Sequence, residues 1–389
     1  MEFTIDRDIF LKSLSHASGI IEKKTTLPIL SNILIEAKES KIKITATDLD
    51  IIYFEEIPAK EIKKEGSTTT SASILYDILR KLQINSEVII TQQTTNKLKL
   101  VSKNSKFNLL CLPSDNFPLS EEDVDQKSFE LSSQKLLKLL NKTKISISND
   151  ETRHYLNGIY LHKTKLENKS FLCGVATDSH RLSSSSIEID PNTEIEPIIL
   201  PKKTIFQLIS LLEQNPNTIK ISNTKSKIKF EMENSVLISK VIDGRFPDYN
   251  KVIPKDNDKT LEIKLNEFKN SIERVTTVSS DRKEGLKMFV NKDSVQLSVN
   301  NPNSGEGVES ISAKFNSNDL TISFNSRYLT DISSQIENES IVIYLKDPGS
   351  PVLIRDISDK NSFHVVMPMK IWIISQKHRI RIFFFFFIK

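Results

Sequence analysis

The 389-residue sequence has few of the residues that build common catalytic and metal sites, with two cysteines, six histidines and nine glycines. Cys111 and Cys173 have neither metal-ligand spacing nor the density of a disulfide framework, which favours a reducing, intracellular compartment. The sequence contains no GxxxxGK[ST] phosphate loop, no GxGxxG turn and no HExxH. Asp48 and Asp50 in TATDLDI could hold a hard cation, but the pair also suits a solvated strand edge, since Mg²⁺ sites usually lean on substrate phosphates. We therefore expect no catalytic residue, no cofactor and no metal.

The sequence also lacks a charge excess that could bind nucleic acid by itself. Its formal net charge is +4 at pH 7, but residues 372–389 contain Lys377, Arg379, Arg381 and Lys389 and no acid. The rest of the chain has equal numbers of acidic and basic side chains, so any DNA contact must come from a local arrangement of charge. The opening MEFTIDRD is acidic and has no apolar run, so we expect no signal peptide and a cytoplasmic location.

The motif ATDSHRLS (176–183) places three residue types of hydrolytic chemistry in a row. In an extended strand Asp178 and His180 would share one face, roughly 6–7 Å apart, while Ser179 points the other way. A working triad needs its nucleophile, base and orienting acid in hydrogen-bond contact, usually from distant parts of the chain. These residues cannot supply that geometry alone. A hydrolase that uses His180 with a carboxylate from elsewhere stays open as an alternative.

One pattern occurs three times along the chain. The segments FTIDRDIFLKSL, FELSSQKLLKLL and LEIKLNEFKNSI, at offsets of 126 and 132 residues, each join a short alternating strand to a helical apolar pattern. The expected helix N-caps are Asp6, Ser132 and Asn266. Offsets of this length are typical of repeated domains, since solenoid repeats run about 20–50 residues. Three unrelated domains with similar patterns are the alternative.

A second helical pattern recurs in each repeat. Its apolar positions are Leu75, Ile78, Leu79 and Leu82, then Ile205, Leu208, Ile209 and Leu212, then Leu329, Ile332 and Ile336 after the candidate cap Asn325. Each repeat closes with alternating strands around the polar turns KNSK, MENS and SDKNS. We predict an α+β fold of three similar domains, each with two helices packed on antiparallel sheets. The predicted domains are residues 1–124, 125–256 and 257–371, and residues 372–389 form an atypical tail outside the fold.

Five collinear motifs closely resemble the β subunit of bacterial DNA polymerase III, the sliding-clamp family. They are TLPILSNILIEA (26–37), YLNGIYL (155–161), ATDSHRLS (176–183), DGRFPDYNKVIP (243–254) and VVMPMKI (365–371). The resemblance covers residues 1–371 and implies that three domains per chain form half of a closed, homodimeric ring around duplex DNA. It implies a processivity factor without catalytic activity, which tethers the replicative polymerase α subunit and repair polymerases. An ATP-dependent clamp loader is expected to open the ring.

The resemblance gives the ATDSHRLS motif a role in a groove between the second and third domains that receives a short peptide from each partner. Such a groove needs apolar walls and a few orienting polar groups, and methionine suits a site that accepts several peptides. The groove residues it implies are Leu156, Thr177, His180, Arg181, Leu182, Pro247, Val252, Asn325, Tyr328, Val365, Val366, Met367, Pro368 and Met369. Alternatively, the apolar members only cap the domain junction.

The resemblance also implies sequence-independent contact between DNA and the helices that line the ring. Phosphate contacts read no bases and are weakened by salt, so retention would come from topology. Lys24 and Arg80 match basic DNA-side positions of the family. The further candidates for DNA-facing residues lie in the two helical regions of the second repeat: Lys135, Lys138, Lys142, Lys202 and Lys203. The alternatives are a solvated helix face and an interaction scaffold that never encircles DNA. Thr277 and Val278 are expected at the dimer contact, where their small apolar area predicts a weaker ring.

The tail WIISQKHRIRIFFFFFIK has no counterpart in the family pattern. Its apolar run at 382–388 is too short to cross a bilayer, which needs about 20 residues. The tail fits either a basic, aromatic membrane-surface anchor or, as we favour, read-through or frameshifted sequence of low complexity, and we expect no membrane partner. Because five consecutive phenylalanines are prone to aggregate, the tail should lower solubility or obstruct the groove. Truncation after Ile371 tests this.

Overall fold

The computed structural model of the chain describes residues 1–22, 27–119, 128–215, 217–279 and 285–369. The predicted DNA contact of Lys24 and the predicted tail at 372–389 lie outside the described residues. The described residues contain six α-helices and 25 strands.

The three repeats share one order of elements. The first contains β1 (Glu2–Asp6), α1 (Arg7–Ser18), β2 (Asn32–Lys38), β3 (Lys41–Thr47), β4 (Ile51–Pro58), β5 (Glu61–Lys64), β6 (Gly66–Ser71), α2 (Ala72–Lys81), β7 (Glu87–Thr94), β8 (Lys97–Ser102) and β9 (Ser105–Leu112). The second contains β10 (Phe129–Ser132), α3 (Ser133–Lys144), β11 (Gly158–Leu166), β12 (Lys169–Thr177), β13 (Arg181–Ile189), β14 (Ile198–Pro201), α4 (Lys202–Gln214), β15 (Thr218–Asn223), β16 (Lys227–Glu231) and β17 (Ser235–Lys240). The third contains β18 (Lys259–Lys264), α5 (Leu265–Val275), β19 (Gly285–Val290), β20 (Ser294–Asn301), β21 (Gly305–Phe315), β22 (Leu320–Asn325), α6 (Ser326–Ser333), β23 (Ser340–Leu345), β24 (Val352–Arg355) and β25 (Ser362–Val366). The predicted α+β fold of three similar repeats is confirmed, with β5 as an extra strand in the first.

The N-cap predictions are partly correct. The Asp6 carboxylate accepts hydrogen bonds from two backbone N–H groups in the first turn of α1, at 2.8 and 3.2 Å, and so satisfies donors that lack a partner within the helix. Asn325 caps α6 through the backbone N–H of Arg327 at 3.0 Å. The prediction for Asn266 is wrong, because α5 begins at Leu265, directly after β18.

The described residues divide into two compact units. Unit 1 contains residues 1–137 and 190–242, and unit 2 contains residues 138–189 and the described part of 243–389. The second repeat supplies residues to both units because its strands belong to two different sheets. The predicted domain boundaries stay a prediction.

Unit 1 is built on a thirteen-stranded sheet in the order β10-β15-β16-β17-β4-β3-β2-β6-β9-β8-β7-β1-β5. Within it, β17, the last strand of the second repeat, pairs antiparallel with β4, the fourth strand of the first repeat. The register runs from Ser235 opposite Glu55 to Ser239 opposite Ile51. One continuous sheet therefore joins the two repeats within this unit.

Unit 2 contains the strand order β11-β12-β13-β25-β24-β23-β18-β21-β20-β19-β22. Here β25, the last strand of the third repeat, pairs with β13, the fourth strand of the second, from Arg181 opposite Val366 to Ser185 opposite Ser362. The junction seen in unit 1 thus occurs again. In both, the last strand of one repeat extends the sheet of the preceding repeat at its fourth strand.

Candidate functional site

The ATDSHRLS motif forms the hairpin turn between β12 and β13. The Asp178 Oδ1 atom accepts hydrogen bonds from the backbone N–H groups of His180 and Arg181, both at 3.0 Å. The Thr177 hydroxyl donates to the Arg181 carbonyl at 2.7 Å and accepts from the Ser179 N–H at 3.1 Å. Ser179 has φ +76°, the left-handed conformation that tight turns require. These are the hydrogen bonds of a turn, and they do not orient His180 as a catalytic base.

The first repeat contains the same turn without serine or histidine. The Thr47 hydroxyl donates to the Ile51 carbonyl at 2.9 Å and accepts from the Leu49 N–H at 3.0 Å. The Asp48 Oδ1 atom accepts from the Asp50 and Ile51 N–H groups, and Leu49 has φ +79°. The Thr-Asp pair is therefore a turn element of the repeat. Within the described ranges, no three potential metal-ligating side chains are grouped together.

Arg181 connects this turn to α6. Its Nε donates to Asp178 Oδ2 at 3.0 Å and its Nη1 to Asp331 Oδ2 at 2.7 Å. Its guanidinium stacks 4.3 Å from the centre of the Tyr328 ring. The side chain is only 8% exposed, and a buried charge is tolerated where it is paired in this way. Burial, reinforced by the nearby Asp178 carboxylate, raises the pKa of Tyr328. The Arg181 side chain is therefore held in one position between the turn and α6.

An apolar cleft of about 460 Å³ lies against this turn, entirely within unit 2. Its lining residues are Thr177, Ser179, His180, Arg181, Leu182, Pro247, Asp248, Tyr249, Val252, Pro351, Val365 and Met367. In the β13–β25 ladder beside it, Leu182 stands directly opposite Val365. This volume includes space that is open to solvent, and the lining is mainly apolar. The cleft can therefore hold a few apolar side chains of a peptide.

The structure brings eight predicted groove residues to the cleft: Thr177, His180, Arg181, Leu182, Pro247, Val252, Val365 and Met367. Leu156 and Val366 are fully buried in the interior and do not line it. The remaining predicted residues that do not line it are Asn325, Tyr328, Pro368 and Met369. Asn325 is the N-cap of α6, and the Tyr328 ring stacks on the Arg181 guanidinium. The chain leaves the cleft after Met367, because the Met369 N–H donates to the Ser323 carbonyl at 2.7 Å.

Four lining residues were not predicted: Ser179, Asp248, Tyr249 and Pro351. Ser179 lies inside the ATDSHRLS motif, and Asp248 and Tyr249 lie inside DGRFPDYNKVIP, so the motifs contained a signal for them. Pro351 lies in the loop before β24, where no motif marks it. The Asn257 amide donates to the Pro351 carbonyl at 3.0 Å and fixes this loop at the cleft.

An aromatic stack supports the wall formed by residues 246–252. The Phe246 and Tyr160 rings lie 5.0 Å apart and 7° from parallel, and Tyr160 stacks on His162 at 4.5 Å. A 3.0 Å hydrogen bond joins the Tyr249 hydroxyl to His162 Nε2. Burial lowers the pKa of His162 to about 4 and raises the pKa of Tyr249. Aromatic pairs of this kind add stabilisation beyond area burial, so they hold the wall on β11.

The predicted DNA-facing residues of unit 1 differ in how free their charges are. Arg80 lies in the last turn of α2 and is 59% exposed, and its guanidinium contacts Asp77 at 3.2 Å. Lys203 is half-buried, and its Nζ lies 2.5 Å from Asp48 and 3.3 Å from Glu22. Arg80 is therefore available to a phosphate, whereas the charge of Lys203 is already compensated.

The other predicted DNA-facing lysines also fall into different environments. Lys135 is exposed on α3 and Lys202 is half-buried at the start of α4. Lys138 is 44% exposed and pairs with Glu337 at 3.0 Å. The prediction for Lys142 is wrong, since its side chain is 3% exposed and ion-paired and cannot reach DNA. Helical spacing alone could not separate Lys142 from its exposed neighbours.

The predicted dimer-contact residues lie in a short 3₁₀ turn, Thr276–Val278, directly after α5. Thr277 is exposed, and its hydroxyl donates to the Glu273 carbonyl at 2.9 Å. Val278 is half-buried against the core of the third repeat. Neither residue presents a large apolar surface.

Three α+β repeats, joined by the same strand-to-strand junction and carrying an apolar peptide-sized cleft, define a protein of the processivity-clamp class. Three sequence models of the DNA polymerase III beta subunit match the chain: the N-terminal domain at residues 1–121, the central domain at 130–248 and the C-terminal domain at 250–370. The chain belongs to the DNA polymerase III beta subunit family, the bacterial sliding clamps.

Relatives and solved structures agree with this assignment. The beta sliding clamp of Caulobacter vibrioides is 35% identical over 373 residues, covering 95% of this chain and all of that protein. The Escherichia coli clamp is 30% identical over 371 residues, with the same coverage. A sliding clamp from Bartonella birtlesii bound to griselimycin superposes with a TM-score of 0.91 at 38% identity, covering 95% of this chain and 100% of that one. A Pseudomonas aeruginosa clamp bound to griselimycin gives 0.89 at 30%, with the same coverage.

None of the helices in the described residues has the length and apolar character needed to cross a membrane.

Proposed function

We propose that this chain is the processivity factor of a bacterial DNA polymerase III. Two copies close head to tail into a ring around duplex DNA, and the cleft of each copy tethers the replicative polymerase α subunit or a repair polymerase. The ring is opened by an ATP-dependent loader and has no catalytic activity of its own. Because it encircles the bacterial chromosome, it works in the cytoplasm.

The observation that carries this proposal is the repeated junction. The last strand of a repeat pairs with the fourth strand of the preceding repeat, as β17 with β4 and β25 with β13. Within the described residues, β9 along Ser105–Leu110 pairs only with β8, and β21 along Gly305–Ser312 only with β20. In the described residues, the last strand of the first repeat and the fourth strand of the third repeat therefore each have an edge without a partner strand. Pairing β9 of one copy with β21 of another uses both edges and closes a two-chain ring.

A charge at the β21 edge is expected to prevent dimer formation. Val308 is 52% exposed on β21, and Val308→Asp would place a carboxylate where the proposed junction removes water. In sedimentation velocity we expect the native chain at twice its 44.4 kDa mass and the variant at the monomer mass. Ile357→Asp, at a similarly exposed aliphatic residue on the β24–β25 turn, is the matched control and should stay dimeric. A dimeric Val308→Asp variant would exclude this edge as the interface.

Topology-dependent retention on DNA tests the function itself. The clamp, loaded on nicked circular DNA, should stay bound at about 1 M salt, where the Debye length falls to about 3 Å and phosphate contacts are screened. Linearising the circle should release it, because residues 1–371 carry no net charge and so bind DNA only weakly when they do not encircle it. A scaffold that never encircles DNA would be retained equally on circular and linear DNA. That result would refute the proposal.

For the cleft, we propose that partner peptides and griselimycin share one site. The apolar pair Leu182 and Val365 suits aliphatic or aromatic anchor side chains, and Met367 can adapt its shape to different ones. Binding of griselimycin should shield the methyl groups of these residues from solvent. Competition between griselimycin and the purified polymerase α subunit, followed by fluorescence anisotropy, tests whether the two share the site.

A further inference from the structure

Lys142 is a buried cation that the DNA-binding role does not use. Its Nζ donates to Asp359 Oδ2 at 2.8 Å and to Ser362 Oγ at 3.3 Å, and lies 3.9 Å from Asp356 Oδ2. Glu337, at 3.7 Å, is the fourth partner. Removing one partner from such a buried group leaves the other charges uncompensated, so the cluster holds these segments in one geometry.

The two aspartates organise the turn that precedes β25. The Asp356 carboxylate accepts backbone N–H bonds from Glu337 at 2.7 Å and Ser358 at 2.9 Å. The Asp359 carboxylate accepts the Asn361 N–H at 3.0 Å. Burial alone would raise the pKa of Asp359, but the hydrogen bond and charge of Lys142 outweigh it and lower the pKa to about 2. The turn is thereby fastened to the C-terminal half of α3 through Lys142.

A second set of contacts joins the β13–β25 ladder to the end of α3, on the face of the sheet opposite the cleft. In the β13–β25 ladder Leu182 stands opposite Val365 and Ser183 opposite His364. Neighbouring residues point to opposite faces of a sheet, so the second pair faces away from the cleft. A 2.8 Å hydrogen bond joins Ser183 Oγ to His364 Nδ1, and a 2.7 Å bond joins Ser183 Oγ to Ser146 Oγ. Ser146 is the second residue after the end of α3, so the same region of the chain contacts both the turn and the ladder.

We propose that Lys142 is a positioning residue for the cleft. By tying the β24–β25 turn to α3, it sets where β25 enters the ladder and therefore where Val365 and Met367 meet the bound peptide. The inference rests on the proposed function, because the effect is read out as peptide affinity. The ion cluster on one face of the sheet therefore sets the peptide affinity of the cleft on the other face.

The test compares Lys142→Met with Lys142→Arg and with Lys138→Met in the full chain. Lys138 is the matched control because its Nζ also contacts Glu337 and Asp359, at 3.0 and 3.4 Å, while 44% exposed. With griselimycin as the probe in isothermal titration calorimetry, we expect Lys142→Met to raise Kd about tenfold. Lys142→Arg should restore affinity to within about threefold of the native chain, because it keeps the charge and the hydrogen bonds. Lys138→Met should change Kd less than about twofold.

A double variant separates positioning from folding. In Lys142→Met with Asp359→Asn, the uncompensated carboxylate is removed, so thermal stability should recover while affinity stays weak because the tie is still absent. Recovery of affinity together with stability, or native affinity in a folded Lys142→Met chain, would overturn the inference. If the unmodified chain does not bind griselimycin, the groove assignment fails, and the inference fails with it.

Discussion

Arg181→Ala is expected to raise the Kd for griselimycin by about 100-fold or more. Arg181 bridges Asp178 and Asp331 and stacks on Tyr328 while 8% exposed, so alanine leaves two carboxylates without their common partner beside an apolar cleft. Removal of one partner from a buried ion pair costs about 3–5 kcal/mol, and about 1.4 kcal/mol corresponds to tenfold in Kd. Part of this cost falls on binding because water would enter the wall that the peptide must contact.

Two controls identify what Arg181 supplies. Arg181→Lys keeps the charge but cannot bridge two carboxylates and stack on a ring at once, so we expect a loss of about tenfold. Lys251, 80% exposed with a 3.5 Å contact to Asp248, is the rim control, and Lys251→Ala should change Kd less than about threefold. Calorimetric titration measures all three. Native affinity in a folded Arg181→Ala chain would show that the cleft does not bind the ligand.

Acidification is expected to destabilise unit 2 well above the pH at which most carboxylates titrate. Burial lowers the pKa of His364 from 6.5 to about 3, reinforced by the charges of Lys142 and Arg181, and burial lowers the pKa of His162 from 6.5 to about 4. Between these values and pH 6.5 the unfolded chain binds protons that the folded chain excludes. The free energy of unfolding should therefore fall with pH by about 1.4 kcal/mol per unit for each histidine.

Urea unfolding followed by circular dichroism between pH 7 and 4 measures this slope. His364→Gln and His162→Phe should each lower this slope by about 1.4 kcal/mol per pH unit, because each removes one group that binds a proton only in the unfolded chain. Equal slopes in the native chain and both variants would contradict the assignment. Asp359 acts in a separate window. Because its folded pKa is depressed from 3.8 to about 2, its contribution is present above pH 3.8 and lost as the pH falls towards 2.

Local patterns predicted most of the fold. The alternating and helical periodicities recur with one order and spacing, and two of the N-caps, Asp6 and Asn325, are where the patterns put them. The Asn266 prediction failed because the cap pattern alone cannot say where the strand ends, and β18 leads straight into α5. Family motifs predicted that Val365 would share one cleft with Arg181 and Leu182, although more than 180 positions of the chain separate it from them.

Predictions for single charged residues were less successful. Lys138 and Lys142 lie one helical turn apart on α3, and nothing local distinguishes them. Lys142 is buried because the turn at residues 356–361, more than 200 positions further along the chain, supplies the carboxylates that pair with it. Pro351 was missed for the same reason, since the loop that carries it reaches the cleft only in the folded unit.

By itself the sequence determined which segments become strands and helices, that they repeat three times, and which family the chain belongs to. These properties depend on periodicity and short motifs, which are local. The tertiary structure alone decided which strand edges join, which of the candidate lysines are exposed, and which of the motif residues line the cleft. These depend on strand register and on charge pairing between distant residues, and a shift of one residue in register would move every side chain of a strand to the other face.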